Sequence, residues 1–249
     1  RMKISFISQA ADLIEHPVPI KKVVPNWYKK LESFLDNDEY QPTVKKCQPV
    51  LDSITMGYAI LSPLDFLFRK KENLEAKTFE IEIIPARLDI LDKTTEQWMK
   101  DFNVGIQHHN QGQLSLSMVY PNEIPLSFKF LNPWIVKTPP GYSCLFTSPF
   151  NTEKRDTRLT TGIVDTDKFE AYTNFPFFLS DWDTNKNKTK MIKKGTPIAL
   201  VFPFKRDDWQ MNVVNDKYLK DKINVLSWKW FTTLVDTYKN KTWARKNYK

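Results

Sequence analysis

Two neighbouring histidines, His108 and His109, are the side chains in this chain whose type and spacing first suggest metal chemistry. They lie in a polar stretch, residues 107–113, and His16 is the only other histidine. A non-haem iron site needs two histidines and a carboxylate arranged around open coordination positions. Neither an H-x-D nor an H-E-x-x-H spacing occurs. His108 and His109 are therefore candidate ligands that would need a distant acid, and the sequence names no cofactor.

Aromatic residues beside basic ones form a second group of candidates. Lys205 and Arg206 follow two phenylalanines, Trp209 comes shortly after them, and Trp134 precedes Lys137. Stacked rings together with cations could hold a base, a sugar or a nucleic-acid strand. Core packing is the alternative role for aromatic rings in a β-rich region.

The chain is basic, with a formal net charge of +8. Such a charge attracts anions, although lysines that only keep the surface soluble would give the same value. No arginine-rich arm is present, so we expect a nucleotide or another small anionic ligand rather than nucleic acid. P-loop, G-x-G-x-x-G and G-x-S-x-G motifs are absent, which removes the common glycine-rich phosphate sites and the serine-hydrolase motif.

Several features bear on the compartment and the assembly. Cys47 and Cys144 lie far apart in the sequence, and we expect both to be free thiols. We find no signal peptide and no apolar run of about 18–20 residues that would span a membrane. The prediction is a cytoplasmic protein without a membrane partner, in the host cytoplasm if the chain is phage-encoded. The sequence does not decide whether the protein forms a homo-oligomer.

The elements that position these candidates are mainly strands. Short apolar segments separated by proline and glycine fill residues 127–214 and predict a barrel or sandwich. Three of the chain's six glycines, Gly141, Gly162 and Gly195, open successive segments, so we expect a positive φ or close backbone packing at each. Strands are also predicted at Leu114–Tyr120 and Trp209–Val213.

The flanking regions carry the helices. Residues 1–126 predict strands and helices that complete one compact unit, including a helix from Thr43 to Met56 that Pro49 must kink or restart. Residues 215–249 predict a basic C-terminal helix whose Trp243 and Tyr248 hold it against the β-region while its lysines face water.

Three segments in the β-region resemble motifs of the dUTPase and dCTP-deaminase superfamily, whose fold is the β-clip. They are Thr138–Leu145 (TPPGYSCL), Thr161–Phe169 (TGIVDTDKF) and Ile192–Phe202 (IKKGTPIALVF). The resemblance implies an α+β fold with a β-clip core over residues 127–214. It does not extend to the phosphate-gripping P-R-S-S, the A-x-D-L motif or the glycine-rich C-terminal arm, so an intact dUTPase is not expected.

The same resemblance implies site residues. Asp165 matches the aspartate that activates a water molecule, with Asp167 as a second carboxylate, and Phe169 matches the aromatic residue that stacks on the pyrimidine. An ionised carboxylate within hydrogen-bonding reach of water acts as a general base. The implied function is a ligand-binding or diverged nucleotide-acting protein.

The chain as a whole is similar to an uncharacterised family found in bacteria and tailed phages, including cyanophages. That likeness rests on Val24–Lys29, Thr43–Cys47, Lys129–Trp134 and Thr138–Leu145. This likeness leads to a second hypothesis of a different functional class, in which the chain is a non-enzymatic accessory or structural interaction protein of a phage. A metal-dependent enzyme using His108 and His109 is the third hypothesis.

Overall fold

The fold is built mainly from antiparallel strands. The computed structural model describes residues 2–38, 41–73, 78–86, 94–110, 112–113, 116–152, 156–215, 217–232 and 237–249. Within them every paired strand is antiparallel, and a few helices lie before and after the strand-rich region. The predicted class, an α+β protein made mainly of antiparallel sheets with N-terminal helices and a C-terminal helix, is confirmed.

Most of the strands and helices of the described residues are short. The strands are β1 (Ser5–Ile7), β2 (Val18–Pro19), β3 (Tyr58–Leu61), β4 (Phe66–Asn73), β5 (Thr78–Pro85), β6 (Gly105–His108), β7 (Glu123–Leu131), β8 (Ile135–Lys137), β9 (Tyr142–Thr147), β10 (Thr157–Leu159), β11 (Gly162–Val164), β12 (Phe175–Ser180), β13 (Thr189–Ile192) and β14 (Pro197–Lys205). The helices are α1 (Asn26–Lys30), α2 (Gln48–Thr55), α3 (Thr95–Asp101), α4 (Lys217–Thr232) and α5 (Thr237–Lys241).

Four sheets arrange these strands. The largest has the order β11-β9-β14-β3-β2, the next β10-β12-β7-β6, and the smaller ones are β13-β4-β5 and the ribbon β1-β8. Strand β14 lies between β9 and β3, and it pairs with both. It therefore joins the strand-rich region to a strand from the first quarter of the chain.

One large hydrophobic cluster is shared by the sheets. Phe66 and Trp98 from the first half of the chain are buried in it together with Phe128 and Phe177 from the second half. The ring centroids of Phe128 and Phe177 lie 5.6 Å apart. Aromatic side chains of this size remove the most apolar surface from water, so this cluster is the main source of packing free energy.

Local sequence signals account for two of the helices. At α3, Thr94 and Gln97 form a reciprocal capping box, which pairs backbone N–H groups that the helix leaves unbonded. At α2, Pro49 stands in the first turn, where its missing N–H does no harm. The predicted segment from Thr43 is thus restarted at Pro49, after a 3-10 turn at Val44–Lys46.

Two of the three glycine corners have the expected backbone. Gly141 has φ of 85° and Gly195 has φ of 80°, a region that residues with a Cβ rarely adopt. The expectation for Gly162 is wrong, because its φ is not positive and a Cβ there would meet no atom within 4 Å.

Two strand predictions are also wrong. The segment Leu114–Tyr120 holds a 3-10 turn at Leu116–Met118, and Leu114 and Ser115 lie outside the described residues. Trp209–Val213 is irregular and exposed. Pairing of β14 with β9 ends at Lys205, opposite Tyr142, so the alternating pattern after it has no partner strand. Among the tail residues that the structure describes, α4 and α5 are helical, and residues 242–249 continue without helix.

Candidate functional site

Three predicted site residues meet where strands β9, β11 and β14 come together. The Asp167 carboxylate accepts a hydrogen bond from the Gly141 backbone N–H at 2.8 Å. Arg206 donates from Nη1 to Asp167 Oδ1 at 2.9 Å and from Nη2 to Asp167 Oδ2. This arrangement, with Asp165 and Ser143, is called the carboxylate–arginine junction below.

Asp167 is the buried one of the two carboxylates in the junction. Its side chain is only 5% exposed, against 56% for Asp165. The Arg206 guanidinium, together with the Gly141 N–H, holds the pKa of Asp167 far below its usual range. The carboxylate is therefore ionised at neutral pH and fully engaged with its partners, which suits it to fix the three segments rather than to accept a proton.

Asp165 is placed differently. Its Oδ1 accepts a hydrogen bond from Ser143 Oγ at 2.6 Å and an ion pair from Arg206 Nη1 at 3.2 Å. Its backbone carbonyl, and not its side chain, closes the turn by accepting the N–H groups of Lys168 and Phe169. Oδ2 has no hydrogen bond or ion pair with any described residue. Asp165 thus presents an oriented, solvent-accessible carboxylate.

A surface groove of about 620 Å³ lies beside this junction. Thr138, Pro139 and Tyr142 form one wall, and the Tyr142 carbonyl also accepts a hydrogen bond from Arg206 Nη1 at 2.9 Å. Residues 246–249 of the C-terminal tail also line it, so we call this feature the tail groove. Its cationic and aromatic lining side chains are Lys3, Lys246, Lys249, Tyr58, Tyr142 and Tyr248. No acidic side chain is among its described lining residues.

The tail is held in place by a buried carboxylate on α2. Asp52 Oδ2 accepts hydrogen bonds from Trp243 Nε1 at 3.0 Å and from Lys246 Nζ at 2.6 Å. The Tyr248 ring packs against Tyr58, with centroids 5.8 Å apart. The prediction that Trp243 and Tyr248 hold the tail against the β-region is confirmed for Tyr248, which also packs on Phe202 of β14. It is wrong for Trp243, whose partner lies on helix α2. The prediction that the tail lysines only face water is wrong for Lys246, because Asp52 pairs with it.

The remaining ligand candidates are dispersed. Phe169 is partly exposed just after the hairpin, and Lys205 forms an exposed ion pair with Asp207 at 2.5 Å. Trp134 is buried in the core, whereas Trp209 is 90% exposed beyond the end of β14. None of these four side chains lines the tail groove.

His108 and His109 each form a hydrogen bond to the backbone of a neighbouring strand. His108 Nε2 is 2.9 Å from the Ile81 carbonyl oxygen, and its ring packs on Phe128. The His109 backbone N–H donates to the Ser127 carbonyl, and burial, with a contribution from Lys129, lowers the pKa of its ring. Among the described residues no group of three histidine, cysteine or acidic side chains could hold a metal ion. Metal binding stays a hypothesis, which elemental analysis of the purified protein tests.

Both cysteines are free thiols. Cys144 is buried, and burial raises the pKa of its thiol to about 11. A thiol with so high a pKa is protonated at neutral pH and is a poor nucleophile.

Sequence reasoning did not find the tail groove. Its lining comes from five separate parts of the chain. In the sequence, Asp52 was only one acidic residue on an amphipathic helix, with no sign of its distant partners. The signal that could have found it was the interleaving of Trp243 and Tyr248 with lysines at the end of the tail.

Comparisons with known proteins add little to what the geometry shows. No protein-family model and no curated protein matches the chain. Among solved structures, the chain is similar to a mutant dUTPase of Staphylococcus bacteriophage 80alpha, solved with dUpNHpp. The two are 12% identical over 87% of this chain and 89% of that chain, with a TM-score of 0.35. None of the described helices is long and apolar enough to cross a membrane.

Proposed function

We propose that this protein binds a small anionic ligand with a flat ring, of the nucleotide class, in the tail groove. The observation that carries the proposal is the groove's lining, which combines lysines and tyrosines with no described acidic side chain. A cleft lined by charges of one sign raises the local concentration of the opposite ion.

The unbalanced charge of the groove comes from two of its lysines. Lys246 is paired with Asp52, so its charge is already compensated. Lys3 and Lys249 have no ion pair among the described residues. These two ammonium groups are suited to the phosphates of a nucleotide.

The aromatic part of the ligand would lie against Tyr142. This side chain lines the groove on the wall nearest the junction, whereas the rings of Tyr58 and Tyr248 pack on each other. Stacking of a base on an aromatic ring stabilises binding by about 1–3 kcal/mol. A cavity of about 620 Å³ is also in the range that holds one small ligand.

A thermal-shift panel tests the ligand class. The probes are dUTP, ATP, uridine and inorganic tripolyphosphate, each at millimolar concentration. A ligand that binds only the folded state raises the melting temperature. We expect the nucleotides to raise it most, tripolyphosphate less and uridine least, and no response to any of the four would contradict the proposal.

Hydrolysis of the bound nucleotide is a second candidate, favoured by the position of Asp165. Ser143 and Arg206 orient its carboxylate in the junction while leaving it largely exposed, and Tyr142, the neighbour of Ser143 in the chain, lines the groove. In this step a water oxygen would attack phosphorus, the P–O bond to the leaving phosphate would break, and Asp165 would take the proton. Asp165→Asn should then abolish phosphate release while dUTP still raises the melting temperature.

The interaction-protein alternative also has a specific observation in its favour. The segment after Arg206 exposes a run of apolar side chains. An interaction through this segment would be independent of ligand binding in the tail groove.

A further inference from the structure

An exposed arm leaves the protein after the junction. Residues 207–215 and 217–224 are all exposed, first as irregular chain and then as the first two turns of α4. Besides Leu219, six apolar side chains along this arm face solvent, with exposures from 90% at Trp209 to 49% at Ile223: Trp209, Met211, Val213, Val214, Tyr218 and Ile223. Large apolar side chains exposed together along one short segment point to an interaction surface.

The arm is not a frayed chain end. Before it, Arg206 is fixed by Asp167 in the junction. After it, Trp243 and Lys246 are fixed to Asp52 on α2. The chain therefore leaves the body at one fixed point and returns to it at another, and the exposed apolar side chains lie between them.

The exposed area is close to what a stable interface requires. Full burial of an aromatic side chain removes about 150–250 Å², and an aliphatic one about 60–120 Å². Scaled by their exposures, the six side chains offer on the order of 600 Å². A standard interface buries about 800 Å² on each partner, so the arm would supply most of one.

The charges of the arm are unevenly placed along it. Asp207, which pairs with Lys205, and Asp208 stand at its beginning, and Lys217, Lys220 and Lys222 stand near its end together with Asp216 and Asp221. Residues 207–224 hold four acids and three lysines, a balance that does not favour an anionic membrane as the partner.

We propose that the arm pairs with the arm of a second copy of this chain, antiparallel and across a two-fold axis. Two-fold pairing sets Asp208 of each arm beside the first turns of α4 in the other, which carry a net positive charge, so these charges are matched. It also places Trp209, Met211 and the valines of one copy against Tyr218 and Ile223 of its partner.

Analytical ultracentrifugation of the full chain from 1 to 200 µM tests the proposal, and we expect a dimer with a micromolar dissociation constant. The variant Trp209→Ser/Met211→Ser should weaken dimerisation at least tenfold, because both side chains are exposed in the monomer and their loss leaves folding intact. Circular dichroism and the melting temperature check that folding. The matched control is Ile163→Ser, an exposed apolar side chain on β11 outside the arm, which should dimerise like wild type.

A charge exchange tests the antiparallel direction. Lys220→Glu/Lys222→Glu alone and Asp208→Lys alone should each weaken the dimer, because like charges would then face each other. An equal mixture of the two variants should restore dimers, since each new charge then meets its opposite.

Three results would overturn the proposal. The first is a wild-type monomer at 200 µM, and the second is a dimer that the arm variants leave unchanged. The third is a monomer that sediments with phosphatidylglycerol vesicles only while Trp209 and Met211 are present, which would assign the arm to a membrane surface instead.

Discussion

Arg206 holds the Asp167 carboxylate with both terminal nitrogens, and it reaches Asp165 with one of them. The pair joins the end of β14 to the turn after β11, and the Gly141 N–H adds the turn before β9. We expect Asp167→Asn and Arg206→Ala each to lower the melting temperature, and the double variant to lose little more than either one, because both remove the same interaction. Thermal unfolding of the three variants measures this, with Lys205→Ala at the exposed neighbouring ion pair as the control that should change little.

The same pair predicts how stability depends on pH. Arg206 lowers the pKa of Asp167 below its ordinary value of 3.8. A carboxylate whose pKa is lower in the folded state contributes stability that is present above the unfolded pKa and is lost as the pH falls towards the folded pKa. The difference in unfolding free energy between wild type and Asp167→Asn should therefore be constant from pH 7 to about pH 5 and shrink below about pH 4. Urea unfolding at pH 7, 5, 4 and 3 measures it, and a difference that grows as the pH falls would reverse the assignment.

Gly141 and Gly162 together test the effect of a positive φ on stability, because they differ in backbone conformation but not in the space around them. Gly141 has φ of 85° and Gly162 does not have a positive φ, while a Cβ at either would meet no atom within 4 Å. Gly141→Ala should therefore destabilise the fold by about 1 kcal/mol or more through backbone strain alone, whereas Gly162→Ala should change stability by about 0.5 kcal/mol at most. Denaturant unfolding of both variants checks this, and equal effects would show that the sign of φ at Gly141 is not what matters.

The sequence predicted the elements of this fold better than their ends. Short strands separated by proline and glycine were recognisable in β9, β11 and β14 because alternation and turn residues are local signals. Trp209–Val213 has the same alternation but no neighbouring strand, and only the pairing of β14 with β9 shows where the sheet stops.

The candidate site was predictable only in part. Asp165, Asp167 and Arg206 meet as neighbours in the structure, although a β-clip motif suggested the first two and an aromatic-basic cluster the third. The tail groove depends on Asp52, which meets Lys246 from 194 residues away along the chain. No local pattern encodes a contact of that separation.

The tail anchor gives a separate prediction. Asp52→Asn should weaken the hydrogen bonds to Trp243 and Lys246, and lower stability by about 1–2 kcal/mol, since Lys246 is partly exposed and solvent screens its charge. Released tail should be cut faster by trypsin after Lys246 and Arg245, which mass spectrometry follows over time. The control Asp12→Asn removes an exposed carboxylate outside the tail groove, and digestion of both variants at the wild-type rate would show that Asp52 does not hold the tail.

The central claim is that the tail groove binds a nucleotide-class anion, and titration calorimetry with dUTP tests it most directly. Wild type should bind, and Lys3→Glu should weaken binding at least tenfold because it removes one uncompensated cation and adds an anion. Tyr142→Ala should weaken it by a similar factor through the lost ring. Lys100→Glu makes the same charge change on α3, outside the groove, and should bind like wild type. Equal affinity in wild type, Lys3→Glu and Tyr142→Ala, or no heat of binding in wild type, would contradict the claim.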